Sequence, residues 1–173
     1  IKAATDYNDY IRPAVVPDIA TMNKAHTTHY SLLPDPEIKH VLRGWNPEGG
    51  AARHDLIVGD VRVRNVPTNI RDWQGGAIGY GNSIFIFEAA GLCIGHLGHL
   101  HHTLTPEQIG QIGQLDVVMV PIRSGVGFRL GGARLELGTH PIADALGQLG
   151  LPKRARFSMH TEHMHGRFEA PEK

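Results

Sequence analysis

The chain has 173 residues, which is enough for one domain with an apolar core and too few for two domains of ordinary size. Its 17 basic and 17 acidic residues give a formal net charge of zero, so the positive excess typical of nucleic-acid-binding proteins is absent. A hydrophobic fraction of 41% is typical of a soluble globular chain, and no run of about 18 apolar residues predicts a membrane span. We therefore expect no nucleic-acid or membrane partner, while the compartment stays open between cytoplasmic, periplasmic and secreted.

The first predicted elements are short strands. Ile19–Met22 is an apolar run typical of a buried strand, and residues 37–42, which follow a Pro-Asp-Pro break, predict a short helix or turn. Residues 56–64 predict a hairpin whose second arm alternates apolar and charged side chains, as a half-exposed strand does. Residues 84–94 predict two more strands joined by a tight turn.

The second part of the chain predicts one helix and one more strand before its character changes. Thr105, Pro106 and Gln108 form a typical helix start, because threonine caps the first turn and Gln108 can reach back as the capping-box partner. That helix is expected to end before the β-branched run 116–121, which predicts a buried strand. The residues that follow are rich in glycine and only weakly periodic, with one short helix predicted at 141–149.

Twelve histidines are the unusual feature of the composition, and nine of them fall in three tight groups. The groups are His26 and His29; His96, His99, His101 and His102; and His160, His163 and His165. Neutral imidazole is the commonest metal ligand, and the first two groups directly follow predicted strands, which fix the base of a loop. The alternative is a titrating surface or a few hydrogen-bonded core histidines. An HxxH pair in every group favours one metal site where the loops converge. With Cys93 as the only cysteine, a site of several thiolates is excluded.

Several segments, in this order, resemble the metallo-β-lactamase-fold hydrolases, in the branch of small metal-dependent hydrolases similar to the lactonase-like UlaG group. The resemblance is carried by residues 17–22 with the histidine loop after them, 41–44, 65–68, 81–88, 91–100, 104–108 and 116–121, and it covers about residues 5–122. It implies an α/β fold, the αββα sandwich, over one domain spanning 1–173 with a divergent part at 123–173. It also implies that this chain lacks the family's N-terminal strands, which would expose sheet edges and favour a homo-oligomer.

The resemblance implies a metal site at one edge of the sandwich. The family's His-x-His-x-Asp-His loop corresponds to residues 24–29, which keep His26 and His29. Lys24 stands in place of the first histidine, and Thr28 in place of the aspartate. The loop therefore loses one imidazole ligand and the carboxylate that orients the attacking water in the family.

The remaining ligand positions also differ from the family. Ile70 stands at the later histidine, the bridging aspartate corresponds to His99, and the C-terminal histidine corresponds to His160. The implied ligand set is therefore entirely imidazole: His26, His29, His99 and His160, with His96, His101 or His163 as alternative members. Three or four imidazoles suit one Zn²⁺, although Ni²⁺ or another divalent metal accepts the same ligands. The alternative for His99 is a purely polar loop shared with His101 and His102.

Two classes of function follow from this resemblance. In the first, a metal-dependent hydrolase, metal-bound water attacks an ester, lactone, amide or phosphoester in an unidentified small-molecule substrate. Lys24 would stabilise the developing oxyanion, unless it is an exposed structural lysine. In the second, a non-catalytic degenerate relative keeps the fold for metal binding or protein interaction. The retained histidines favour the first class, and the lost carboxylate and Ile70 favour the second; we favour hydrolase ancestry. Because the imidazole of His99 brings no negative charge and binds one cation only, we expect one tightly held ion per chain.

Overall fold

A computed structural model describes residues 1–72, 74–122, 148–149 and 156–161, with residues 121–122 and 156–161 described by their backbone alone. Its elements are β1 (Ala3–Ala4), β2 (Ile19–Met22), β3 (His40–Arg43), β4 (Asp55–Val58), β5 (Val61–Arg71), β6 (Ala77–Ala89), β7 (Leu92–His96), α1 (Pro106–Ile112), β8 (Val117–Ile122) and β9 (Arg156–Thr161). Within these ranges no helix has both the length and the apolar character needed to cross a membrane. The helix predicted at 141–149 lies almost wholly outside the described residues.

The strands form two sheets. The first sheet has the order β1-β2-β3 and is parallel throughout, and the second has the order β4-β5-β6-β7-β8-β9. In the second sheet β4 to β7 are antiparallel neighbours, whereas β7, β8 and β9 run parallel. Of the helix or turn predicted at 37–42, only a turn at its start is present, where the Ile38 N–H donates to the Asp35 carbonyl (3.1 Å). The rest of the prediction is wrong, because His40–Arg43 is a strand that pairs with all four residues of β2. The predicted hairpins and the strand at 116–121 are present.

The apolar core lies on both faces of β6. Ile84 and Ile86 point into a cluster that includes Leu97 and Ile112, so this face of the sheet packs against α1 and the loop before it. The alternate residues of the same strand belong to another cluster, in which Phe85 and Phe87 meet Ile19, Leu42 and Val63. Because side chains alternate along a strand, the continuous apolar run of β6 is what a strand buried on both faces requires. The second cluster holds the two sheets face to face.

Helix α1 is fixed at both ends. The predicted capping box is present. The Thr105 hydroxyl accepts from the backbone N–H of Gln108, and the side-chain oxygen of Gln108 accepts from the backbone N–H of Thr105. At the other end the Arg64 guanidinium of β5 donates to the carbonyls of Gln111 (2.6 Å) and Ile112 (2.8 Å), which have no acceptor role inside the helix. Arg64 Nε also donates to Glu88 (2.7 Å), and this hydrogen bond lowers the pKa of the Glu88 carboxyl.

Replacing Arg64 with alanine should lower the free energy of unfolding by about 2 kcal/mol, because it removes charge-assisted hydrogen bonds from partly buried partners. The matched control is Arg62→Ala on the same strand. Arg62 pairs with Asp55 and with Glu88, but its side chain is 41% exposed against 21% for Arg64, so solvent screens its ion pairs and a smaller loss is expected. Urea unfolding of both variants measures the difference, and equal losses would contradict this account of the helix end.

Candidate functional site

Two histidine loops meet at one edge of the fold. Strand β2 ends at Met22 and β7 ends at His96, and each is followed at once by its histidine loop. The rings of His26, His29 and His99 form a compact group, here called the imidazole cluster. Their centroids are separated by 4.9 Å (His26–His99), 5.3 Å (His29–His99) and 6.0 Å (His26–His29). The structure thus brings together three of the residues singled out from the sequence, from loops that follow strands of different sheets.

A buried carboxylate beneath the cluster was missed by the sequence analysis. Asp6 Oδ2 lies 3.0 Å from Nδ1 of His29 and 3.5 Å from Nε2 of His96. The three side chains are 1–2% exposed. We call Asp6 and His96 the base of the cluster. The segment around Asp6 mixes aromatic, polar and charged residues without a period, so nothing in the local sequence marks this aspartate as part of a site.

The cluster has a buried side and a solvent side. His29 and His96 are buried and His99 is half-buried, whereas His26 and the neighbouring Lys24 are exposed. The exposed side of the cluster therefore carries His26 and Lys24, and the buried side carries Asp6 and His96. The backbone N–H of Lys24 donates to the carbonyl of Gly81 (2.9 Å), which ties this loop to β6. The Lys24 ammonium is on the exposed side, where both the oxyanion role and a structural role remain open to it.

Two buried asparagines position the loops. Asn82 Oδ1 accepts the backbone N–H of His99 (2.8 Å), and its amide group donates to Thr68 Oγ1 (2.6 Å) and to the Leu97 carbonyl (3.2 Å). The side-chain oxygen Oδ1 of Asn23 accepts the backbone N–H of Ser83 (2.8 Å), and the backbone N–H of Asn23 donates to the His29 carbonyl (3.0 Å). Both asparagines are fully buried. Each histidine loop is thus fastened to β6 by an asparagine side chain, a feature that no local sequence pattern indicates.

The other histidines of the second group have different surroundings. His102 Nε2 accepts the N–H of Asn69 (3.1 Å), so its proton is assigned to Nδ1, which donates to the Thr103 carbonyl (2.7 Å). His101 packs edge-on against His102 with ring centroids 5.3 Å apart, and burial lowers the pKa of His101. His102 therefore stabilises a loop next to β5. Ile70, which the resemblance places at a ligand position, is a buried core residue of β5.

The C-terminal histidines are described only in part. His160 belongs to β9, and its backbone is opposite Pro121 of β8. Because β7, β8 and β9 are parallel, the backbone of His160 lies toward the same sheet edge at which β7 ends with His96. His163 and His165 lie outside the described residues. A role of His160 or His163 as a ligand stays a prediction.

The comparisons with known proteins give the family. A family model described as a beta-lactamase superfamily domain matches residues 1–137, so the chain belongs to this family. Its fold is the metallo-β-lactamase fold, as the resemblance implied. None of the curated proteins matches the sequence.

Solved structures with similarity to this chain include two bacterial proteins. One, from Thermotoga maritima, is described as a Zn-dependent hydrolase of the metallo-β-lactamase superfamily; it is 25% identical, with a TM-score of 0.48 over 80% of this chain. The other, from Parabacteroides distasonis, is described as a metal-dependent hydrolase; it is 13% identical, with a TM-score of 0.49, and the match covers 91% of this chain and 83% of that one. The present chain spans 57% of the length of the Thermotoga protein.

The residues of the cluster fit a metal ion in type and spacing. Among the described residues no group of three or more His, Cys, Asp or Glu side chains is already arranged to hold an ion. The ring separations, however, match a shared ion: with metal–nitrogen bonds of about 2.1 Å at tetrahedral angles, imidazole centroids lie roughly 5 Å apart. Binding therefore requires the rings to turn so that their nitrogens converge, without bringing the loops closer together.

The Asn network predicts a strict requirement for glycine at position 98. Gly98 has φ +58°, and a Cβ there would collide with the side-chain amides of Asn23 and Asn82. Gly98→Ala should therefore combine left-handed strain with overpacking and lower the unfolding free energy by about 3 kcal/mol. The control is Gly49→Ala, where φ is +96° but nothing lies within 4 Å of the added Cβ, and about 1 kcal/mol is expected. Equal losses in urea unfolding would show that the asparagines do not confine this loop.

Proposed function

We propose that the imidazole cluster binds one divalent metal ion and that the chain is a metal-dependent hydrolase of the small, lactonase-like branch similar to the UlaG group, with a degenerate ligand motif. The observation that carries the proposal is the approach of three imidazoles, from loops that follow strands of two different sheets, to centroid separations of 4.9–6.0 Å. Membership of the superfamily supports the same function. Zn²⁺ suits these ligands best, and Ni²⁺ is the next candidate.

The chemistry that we propose is hydrolysis of an ester, lactone, amide or phosphoester. When bound, the ion would polarise the scissile group and acidify a water molecule. The chain's own residues contribute orientation and charge. His26 and Lys24 face the solvent side, where a substrate enters, and the Lys24 ammonium is suited to an oxygen that becomes negative during the reaction. The base closes the opposite side, because Asp6 and His96 are buried.

The second candidate is a non-catalytic relative that binds metal or a protein partner. Thr28 favours it, since this residue stands where the resemblance places a carboxylate that orients the attacking water. A hydroxyl there is neither a strong ligand for Zn²⁺ nor a general base at neutral pH. The hydrolase requires the cluster to bind a metal ion, whereas the non-catalytic relative requires this only if it acts through that ion. Metal binding is therefore measured first, and turnover is measured after it.

Titration of the metal-free protein with Zn²⁺ by calorimetry should show one saturable site per chain. The double variant His26→Ala, His99→Ala should lose it, because two of three imidazoles are removed. The control His40→Ala removes an imidazole from β3, outside the cluster, and should bind as the native protein does. Affinity should also fall as the pH is lowered, because protonated imidazole cannot ligate. Absence of saturable binding, or unchanged binding in the double variant, would contradict the proposal.

Restoring carboxylates separates the two candidate functions. Thr28→Asp combined with His99→Asp should raise the number of bound ions and the rate of hydrolysis of activated esters, because carboxylates offset the charge of a second cation. A gain of metal without a gain of activity would support the non-catalytic relative. If the native protein instead holds two ions about 3.5–4 Å apart, as two-metal hydrolases do, the single-ion proposal is wrong.

A further inference from the structure

We propose that the substrate of the imidazole cluster is an acyl compound with a hydrocarbon chain, and that this chain binds on an apolar surface beside the cluster. The surface is formed by Tyr10, Ile11, Leu32 and Leu33, here called the apolar rim. These four side chains are 69–83% exposed. Single exposed apolar residues are common on protein surfaces, whereas several from adjoining segments are typical of a binding surface. The inference rests on the proposed function, because it names the substrate class of that site.

Hydrogen bonds join the two segments of the apolar rim to each other and to the loop at 24–29. Oδ1 of Asp9 accepts the Ser31 hydroxyl (2.7 Å), so the residues just before the two halves of the rim are in contact. The hydroxyl of Tyr10 lies 3.2 Å from Oγ1 of Thr27, which is hydrogen-bonding distance. Thr27 directly follows His26, the exposed member of the cluster. The rim therefore adjoins the solvent side of the imidazole cluster.

Both segments of the rim are held in place before any substrate binds. The side-chain oxygen of Asn8 accepts the backbone N–H groups of Tyr10 (2.9 Å) and Ile11 (2.9 Å). Ser31 is buried, and its backbone N–H donates to Sδ of Met22, the last residue of β2 (3.2 Å). A ligand that binds to a backbone already fixed in this way loses little affinity to the ordering of loops.

The charges next to the rim favour an uncharged group on it. Arg12 and Asp9 pair with each other (3.0 Å) at the edge of the first segment. Phosphate groups are typically bound by arginine and lysine side chains, and the rim itself contains neither. Lys24 is exposed on the loop at 24–29, where its ammonium is suited to the polar end of the substrate. These observations narrow the proposed ester, lactone, amide or phosphoester to an acyl compound.

A strained aromatic residue adds to the apolar surroundings of the same loop. Tyr80 is 49% exposed, and the next residue, Gly81, accepts the backbone N–H of Lys24. Tyr80 has φ +58°, a conformation that is rare for a bulky residue, and its N–H donates to Oδ1 of Asn69 (3.1 Å). Such strain persists where the surroundings determine the position of a side chain, and it is common at ligand sites. Tyr80 thus presents an aromatic side chain beside the start of the loop.

The first test measures how binding depends on chain length in the metal-free protein. Decanoate and butyrate share a carboxylate and differ only in their methylene groups, and each fully buried methylene raises affinity about fourfold. Calorimetry should therefore show decanoate binding at least about 10-fold more tightly than butyrate, and ¹H–¹⁵N NMR should show shifts at the rim and at Thr27. The rim variant, Leu32→Ser with Leu33→Ser, should lose at least about 10-fold in decanoate affinity.

The matched control is Ile57→Ser with Leu92→Ser, which removes two exposed apolar side chains from β4 and β7. It should bind decanoate as the native protein does. Equal affinities for decanoate and butyrate in the native protein, or equal losses in the rim and control variants, overturn the proposal. It is also overturned if the rim joins two copies of the chain, seen in sedimentation as a native dimer that the rim variant dissociates. Native binding to phosphatidylcholine vesicles that the rim variant loses would likewise overturn it in favour of a lipid surface.

Turnover separates this inference from the proposed function. In the Zn²⁺-loaded protein, kcat/KM for p-nitrophenyl octanoate should exceed that for p-nitrophenyl acetate, and the ratio should fall about 10-fold in the rim variant. The control variant should keep the native ratio. An unchanged ratio in the rim variant overturns the role of the rim while the hydrolase stands. Absence of metal binding or turnover refutes the proposed function, and selective decanoate binding by the metal-free protein still decides the role of the rim.

Discussion

The side-chain amide of Asn82 is the constraint on which the geometry of the site depends. It is fully buried in β6, and it bonds to the backbone N–H of His99, the carbonyl of Leu97 and the hydroxyl of Thr68. A buried amide costs free energy unless its donors and acceptor are satisfied, so displacement of the loop would leave several polar groups unpaired at once. The position of His99 is therefore set by a neighbouring strand and not by its own loop. The same close packing requires glycine at position 98, because no side chain fits between the loop and the side chains of Asn23 and Asn82.

Elements with strong local signals were predictable from the sequence. The capping box of α1 and the β-branched run of β8 specify their structures through neighbours in the chain, and both are found. Strand β3 was missed because its signal is not local. His40–Arg43 is a short run behind a Pro-Asp-Pro break, and its extended conformation comes from parallel pairing with β2 and from the burial of Leu42 between the sheets. Pairing with a distant strand is invisible to a local pattern.

The candidate site also contains residues that could be predicted from the sequence and residues that could not. Histidines that directly follow predicted strands were recognisable as candidates, because the end of a strand fixes where a loop begins, and this placed His26, His29 and His99 at one edge. Asp6 was not recognisable. It has no periodic surroundings. Its proximity to His29 comes from the parallel pairing of β1 with β2, and its proximity to His96 comes from the packing of the two sheets. The roles of Asn23 and Asn82 could not be predicted for a related reason. Their buried hydrogen-bond partners are distant in the chain, and no local pattern indicates them.

Charge supports the proposal that the imidazole cluster binds one cation and not two. Two unit charges 4 Å apart repel by about 4 kcal/mol at an effective dielectric constant of about 20, and for two dications the term is about four times larger. Two-metal sites offset that repulsion with bridging and terminal carboxylates. The imidazole cluster and its base contain one carboxylate, that of Asp6, and it faces the rings of His29 and His96. Under the proposed function, this one charge would partly balance a single dication held by neutral ligands. A second dication would add the repulsion, and the described residues of the cluster and its base supply no further carboxylate, so Thr28 and His99 are in keeping with the proposed single ion.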